Sequence, residues 1–272
     1  MEGASPSASE VAVGEMENRF RDAADRAERF LTEGLVAGRG SAQAATAHLL
    51  ARSLADLRSG QYLVGNGFVL QMASVVRPAL ESLNLIELFA RNPEAADRWT
   101  RGRNIPEFRP ARVRDALGIG ADEVYSWLSE ASHPRFAGFQ MTAYQAVRED
   151  GEAGADRAPD IPRLHLFIGG LPLELPIVLN AVTMPSNVLC QLGLQLSHCP
   201  VRRELAWTWA TVAREMAETV RPGYEAIGRV LVDQSPDSAE LNASLLAQID
   251  GAIEAMREME QIMDEERERV GE

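Results

Sequence analysis

Apolar side chains recur every three or four positions along most of this chain, the spacing of a helix face rather than a strand. The opening dozen residues are small and polar, carry no such period, and read as a tail over 1–12. Met16, Phe20, Ala23, Ala27, Phe30, Leu31 and Leu35 then form a first stripe that stops at Gly38-Arg39-Gly40. Ser41 is placed to cap a second helix with Ala45, Leu49, Leu50, Leu54 and Leu57 on one side, ending at Ser59-Gly60. A third helix is predicted over 62–91. It is apolar nearly all round (Phe68, Met72, Val76, Leu80, Leu83, Ile86, Phe89), and a helix without a polar face belongs in the centre.

Asn92-Pro93 predicts a short helix through Trp99, after which 101–110 lacks period and holds two prolines. Past Pro110 no residue offers a capping side chain. Asp122 caps a predicted helix through Val124, Leu128 and Ala131 that Pro134 ends. Residues 148–161 are acidic and glycine-rich and read as a surface loop, and the alternation over 163–168 predicts a short strand. Helices are expected over 175–197 and 201–232, the second interrupted at Pro222-Gly223. From Pro236 onward Leu241, Leu245, Ile249, Ile253, Met256, Met259 and Met263 share a stripe opposite charged residues. That is an amphipathic helix for packing on the body or on a second subunit.

The expected fold is therefore all-α, a multi-helix bundle with a kinked central helix. It has a bundle domain over 13–234 and a C-terminal helix over 235–272. Pro78 is the expected kink, because it removes one backbone hydrogen bond from the third helix.

Charge and cysteine content narrow the function classes. All 27 basic residues are arginine, and 40 acids bring the net charge to −13, so the overall field repels polyphosphates and nucleic acid is not an expected partner. Seven arginines fall between Arg91 and Arg114, but Glu94, Asp97, Glu107 and Asp115 are interleaved with them, which makes the segment a solvated rim. Two cysteines build no disulfide scaffold, and the start of the chain has no secretory pattern, so a cytoplasmic setting is expected. The most apolar tract, 164–196, is broken by prolines, glycines and Glu174, and no membrane association is expected.

Cys190, His198 and Cys199 lack a companion cluster for a tetrahedral metal site, and no metal or other cofactor is expected. No glycine-rich phosphate loop, Gly-x-Ser-x-Gly elbow or His-Glu-x-x-His pair supports a familiar enzyme class. Trp207 and Trp209, in an apolar helix with Met216, read as packing residues.

One polar constellation interrupts the apolar pattern. Ser74, Arg77, Glu81 and Asn84 share one side of the central helix. An arginine in a core is costly unless paired, and Glu81, one turn on, is the natural partner for Arg77. The helix capped by Asp122 presents Tyr125, Ser129, Ser132 and His133 to one side, with His133 at a C-terminus whose dipole favours the charged imidazole.

Arg77-Pro78-Ala79-Leu80-Glu81, followed by Tyr125-Ser126-Trp127-Leu128-Ser129-Glu130-Ala131-Ser132-His133, resembles a broad bacterial family of uncharacterised helical proteins. Its members carry Arg-(Pro)-x-x-Glu and Tyr-x-x-Leu-Ser-x-x-x-His over a stretch corresponding to residues 45–200. That family is in turn similar to the HEPN group of helical bundles, many of them ribonucleases with an arginine four to six residues before a histidine. His48, His133, His165 and His198 all lack that arginine, a departure from the ribonuclease motif.

The expected role is binding of a small polar ligand or a partner protein at Arg77, Glu81, Tyr125, Ser129 and His133. The bland alternative is a buried network that only fixes helix packing. Two further alternatives are a HEPN-like enzyme or antitoxin-type factor acting on RNA or nucleotides, with His133 as general acid or base, and a homodimer formed through the C-terminal helix.

Overall fold

The computed structural model describes residues 7–34, 41–66, 68–102, 106–120, 123–132, 175–196, 203–233 and 235–270. They form α1 (Ala8–Gly34), α2 (Ser41–Gly65), α3 (Val69–Arg91), α4 (Pro93–Thr100), a single 3₁₀ turn (Pro106–Phe108), α5 (Pro110–Leu117), α6 (Glu123–Ser132), α7 (Leu175–Leu196), α8 (Arg203–Val232) and α9 (Pro236–Val270). The all-α bundle is as expected. The loop over 148–161, the strand over 163–168, His133, the Asp122 cap and the His198–Cys199 pair lie outside the described residues.

α7 is the enclosed element. It touches α1, α2, α3, α8 and α9, and every residue from 181 to 190 is buried. Its own polar groups are satisfied in part within the core: Tyr224 donates from α8 to the carbonyl of Thr183 (2.8 Å), and Gln191 donates to Asn187 (2.8 Å). α3 instead lies between α2 and α7 on one side and α4, α5 and α6 on the other, and it keeps Gln71, Ser74 and Arg91 exposed. α3, expected to be central, also touches five other helices and buries eleven of its residues, so it shares the interior with α7.

Proline inside these helices does not interrupt them. α3 is continuous through Pro78, so the expected kink is not seen, and α8 is continuous through Pro222-Gly223. Packing on more than one side holds the segments helical where local preference alone would end them. Gly223 serves that packing directly: a methyl group there would overlap Met16 of α1, and at Gly193 it would lie 3.0 Å from Ala213 Cβ. Bare backbone lets α8 approach α1 and α7 closely.

Several boundaries differ from the sequence reading, each for a local reason. α1 begins at Ala8, because Ser7 and Glu10 form a reciprocal capping box: Ser7 N–H donates to Glu10 (2.7 Å) and Glu10 N–H to Ser7 Oγ (3.3 Å). The same contacts hold the Glu10 carboxyl below its usual range. α2 does not stop at Ser59-Gly60. Ser59 bonds back to Ala55, Gly60 accommodates Val76, and the turn falls at Asn66, whose amide donates to the Tyr62 carbonyl.

α5 is an additional helix between 101 and 122. Pro110 occupies its first turn, and Gly118, at φ +70°, closes it with N–H bonds to the last carbonyls. α4 forms as predicted, with Asn92 accepting from Ala95 N–H (3.3 Å).

α9 runs antiparallel to α8 and buries Leu245, Ile249, Ile253 and Met256 against the bundle. The stripe offered for either the body or a second subunit is used within the chain. Its outer face carries Glu254, Arg257, Asp264 and Glu265, with Ile262 the exposed large apolar side chain.

Candidate functional site

The site is built where α3 meets α5 and α6. Leu83, Ile86 and Ala79 anchor α3 in the core, and Leu128 anchors α6 with no exposure. Helical spacing then turns Arg77 and Glu81 toward the face of α6 that carries Tyr125 and Ser132. The side chains of Arg77 and Glu81 keep 19% and 23% of their surface in contact with solvent, so the cluster is mostly covered but not sealed.

The hydrogen bonds run as a chain across the two helices. Arg77 Nε donates to Glu81 Oε1 (2.9 Å), and Tyr125 Oη donates to the same oxygen (3.2 Å). Arg77 Nη1 donates to Ser132 Oγ (3.1 Å), whose hydroxyl donates on to the Ser129 carbonyl (3.3 Å). A charge-assisted pair under partial cover is stronger than its exposed equivalent, and the doubly bonded Glu81 oxygen fixes both partners.

Arg77, Glu81 and Tyr125 therefore meet as expected. Ser132 takes the bond from Arg77, while Ser129 contributes its carbonyl. Ser74, placed in the same stripe by spacing, is exposed and bonds back to Leu70 (3.2 Å). Asn84 is buried.

A further residue enters that sequence reasoning had assigned to the solvated rim. The Arg114 guanidinium of α5 lies over the Tyr125 ring with Cζ 4.0 Å from the centroid, and Arg77 Cζ is 5.7 Å from the same centroid. Cation–π contact of this kind is worth about 0.5–2 kcal/mol, more as water is excluded. Arg114 Nη1 is buried and has no hydrogen-bond acceptor.

The rest of the segment behaves as a rim. Arg98 grips Glu107 through both oxygens (2.8 and 3.3 Å), Arg91 pairs with Glu87 and donates to the Leu117 carbonyl, and Arg101, Arg109 and Arg112 are exposed. The signal that would have singled out Arg114 is its place one residue after buried Val113 and three before buried Leu117. That register carries it toward the bundle rather than away.

Other candidate chemistry is weaker. Among the described residues no group of histidine, cysteine and carboxylate side chains is arranged to hold a metal. Cys190 is buried and free, and desolvation pushes its thiol up to about 12, which makes it unreactive at neutral pH. No helix among the described residues is long and apolar enough to cross a membrane. Comparison of the chain with protein-family models, with curated proteins and with solved structures gives no match. The chemistry of the chain itself has to carry any functional reading.

Proposed function

We propose that this protein acts by binding: it holds a small polar ligand or a polar segment of a partner at the α3–α5–α6 junction, around Arg77, Glu81, Tyr125, Ser132 and the neighbouring His133. One observation carries the reading. Polar side chains from segments 55 residues apart, Arg77 and Ser132, converge on a mostly covered face of otherwise apolar helices that keeps some contact with solvent. A network that served packing alone could be replaced by apolar side chains at little or no cost in stability. The acidic overall charge and the two cysteines suit a cytoplasmic setting.

Arg77→Leu separates the two roles. Ligand binding predicts that a panel of small polar compounds contains members that raise the melting temperature of the parent and not of the variant, at an unchanged helical spectrum. If the variant loses stability while no compound distinguishes it from the parent, the cluster is only a packing device.

A further inference from the structure

We infer that the ligand of this junction carries an oxyanion, a carboxylate or a phosphate group, received by Arg114. The inference rests on the binding reading above and adds the chemical class. It starts from a mismatch of charge. Arg77 and Arg114 both attend the Tyr125 ring, and Glu81 accepts from Arg77 and Tyr125, whereas Arg114 is paired with no carboxylate among the described residues.

Arg114 is left with a buried N–H and no acceptor. Withdrawing a cationic donor from water without replacing its hydrogen bond is costly, and the cost is recovered when an acceptor arrives, most fully when that acceptor is negative. Guanidinium is the side chain best suited to carboxylate and phosphate, whose oxygens match its planar donors.

The remaining groups fit such a guest. The phenol beside Arg114 and the Ser132 hydroxyl beside Arg77 already donate elsewhere, Tyr125 to Glu81 and Ser132 to the Ser129 carbonyl, so the role of anion donor falls to Arg114. Glu81 sets a limit: its own charge disfavours a second anion close by, so a compact group of one or two charges is accommodated and a polyphosphate chain is not. The net charge of −13 acts in the same direction by repelling highly charged ligands before they reach the site.

Thermal unfolding of the full chain in acetate, in inorganic phosphate and in sodium chloride of equal ionic strength tests this, with Arg114→Gln and Arg114→Lys beside the parent. The expected result is a midpoint raised by about 2–4 °C at roughly five times Kd in acetate or in phosphate relative to chloride. The gain disappears in Arg114→Gln and is partly kept in Arg114→Lys. The more effective of the two anions identifies the group.

Equal midpoints in all three salts, or a shift that survives intact in Arg114→Gln, overturns the inference. The two proposals fail separately. Neutral polar compounds whose effect depends on Arg77, with no response to either anion, remove the oxyanion and leave the binding site. If Arg114→Gln does not fold, titration of the parent in phosphate and acetate at constant ionic strength decides by the presence or absence of saturation.

Discussion

Arginine is used in two different ways on the two sides of this bundle. At the seam between α8 and α9, three guanidinium groups are each shared between two carboxylates: Arg214 of α8 by Glu218 and Glu260, Arg221 of α8 by Asp250 and Glu225, and Arg257 of α9 by Glu218 and Glu254. These pairs stitch α9 to α8 and Arg26 joins α1 to Glu215, always at the solvent boundary. At the α3–α6 junction two cations meet one ring, and Arg114 has no carboxylate partner among the described residues. A saturated cation fixes register and asks for nothing more, whereas one under partial cover with a donor to spare is poised to receive. The contrast suggests where function lies in a chain whose arginine-to-acid ratio would otherwise make every arginine look alike.

The largest effect that bears on this contrast is expected from removing the support of the junction. Leu128→Ala takes a fully buried side chain out of α6 and should cost about 2–5 kcal/mol in urea unfolding. A loss below 1 kcal/mol (about the cost of a surface change) means that α6 is not held to α3 as described. Glu81→Leu is expected to cost about 1–3 kcal/mol, because it removes the carboxylate that the Arg77 guanidinium and the Tyr125 hydroxyl share. Arg221→Ala, although it breaks contacts with Asp250 and Glu225, should cost less than about 1 kcal/mol, since those groups remain wet. If the last two values exchange places, the distinction between the sides is wrong.

Smaller still is a pH effect on α2. Burial raises the Asp56 carboxyl above its usual range, and the attraction of Arg52 offsets this only in part. A carboxyl whose folded pKa is raised binds its proton more readily when folded. The associated stability is complete below the unfolded Asp range and lost as pH rises through the folded value. Asp56→Asn should therefore raise the melting temperature at pH 7 and give little or no gain at pH 3, and a gain independent of pH would refute the burial account. Finally, mixed RNA incubated with the parent or with His133→Ala is expected to stay intact on a gel, and cleavage by the parent alone would restore the HEPN-like alternative.

Much of this was legible in the residues because it depends on spacing within a helix. Arg77 and Glu81 are one turn apart, as are the stripe residues of α9, and Asn92-Pro93 declares its helix start. What escaped depends on signals of another kind. Ser7-x-x-Glu10 is a capping box that small polar neighbours disguise as a tail. The true turn after α2 falls at Asn66, while Ser59-Gly60 imitates one because a glycine was needed for helix contact. Pro110 and Gly118 bracket α5 without any capping side chain. The register of Arg114 beside Val113 and Leu117 turns it inward, but its meeting with Tyr125 joins separate helices and is decided by how α5 and α6 lie on α3.

The presence of Pro222, Gly223 and Gly228 in α8 has a consequence for how the bundle comes together. In an isolated peptide of residues 203–232 the proline would disfavour the helix by about 3 kcal/mol and each glycine by about 1 kcal/mol, with no neighbour to offset them. Such a fragment should show little ellipticity at 222 nm. In the folded chain α8 is held helical by its packing against α1, α7 and α9, so its shape depends on these neighbours more than on its own sequence.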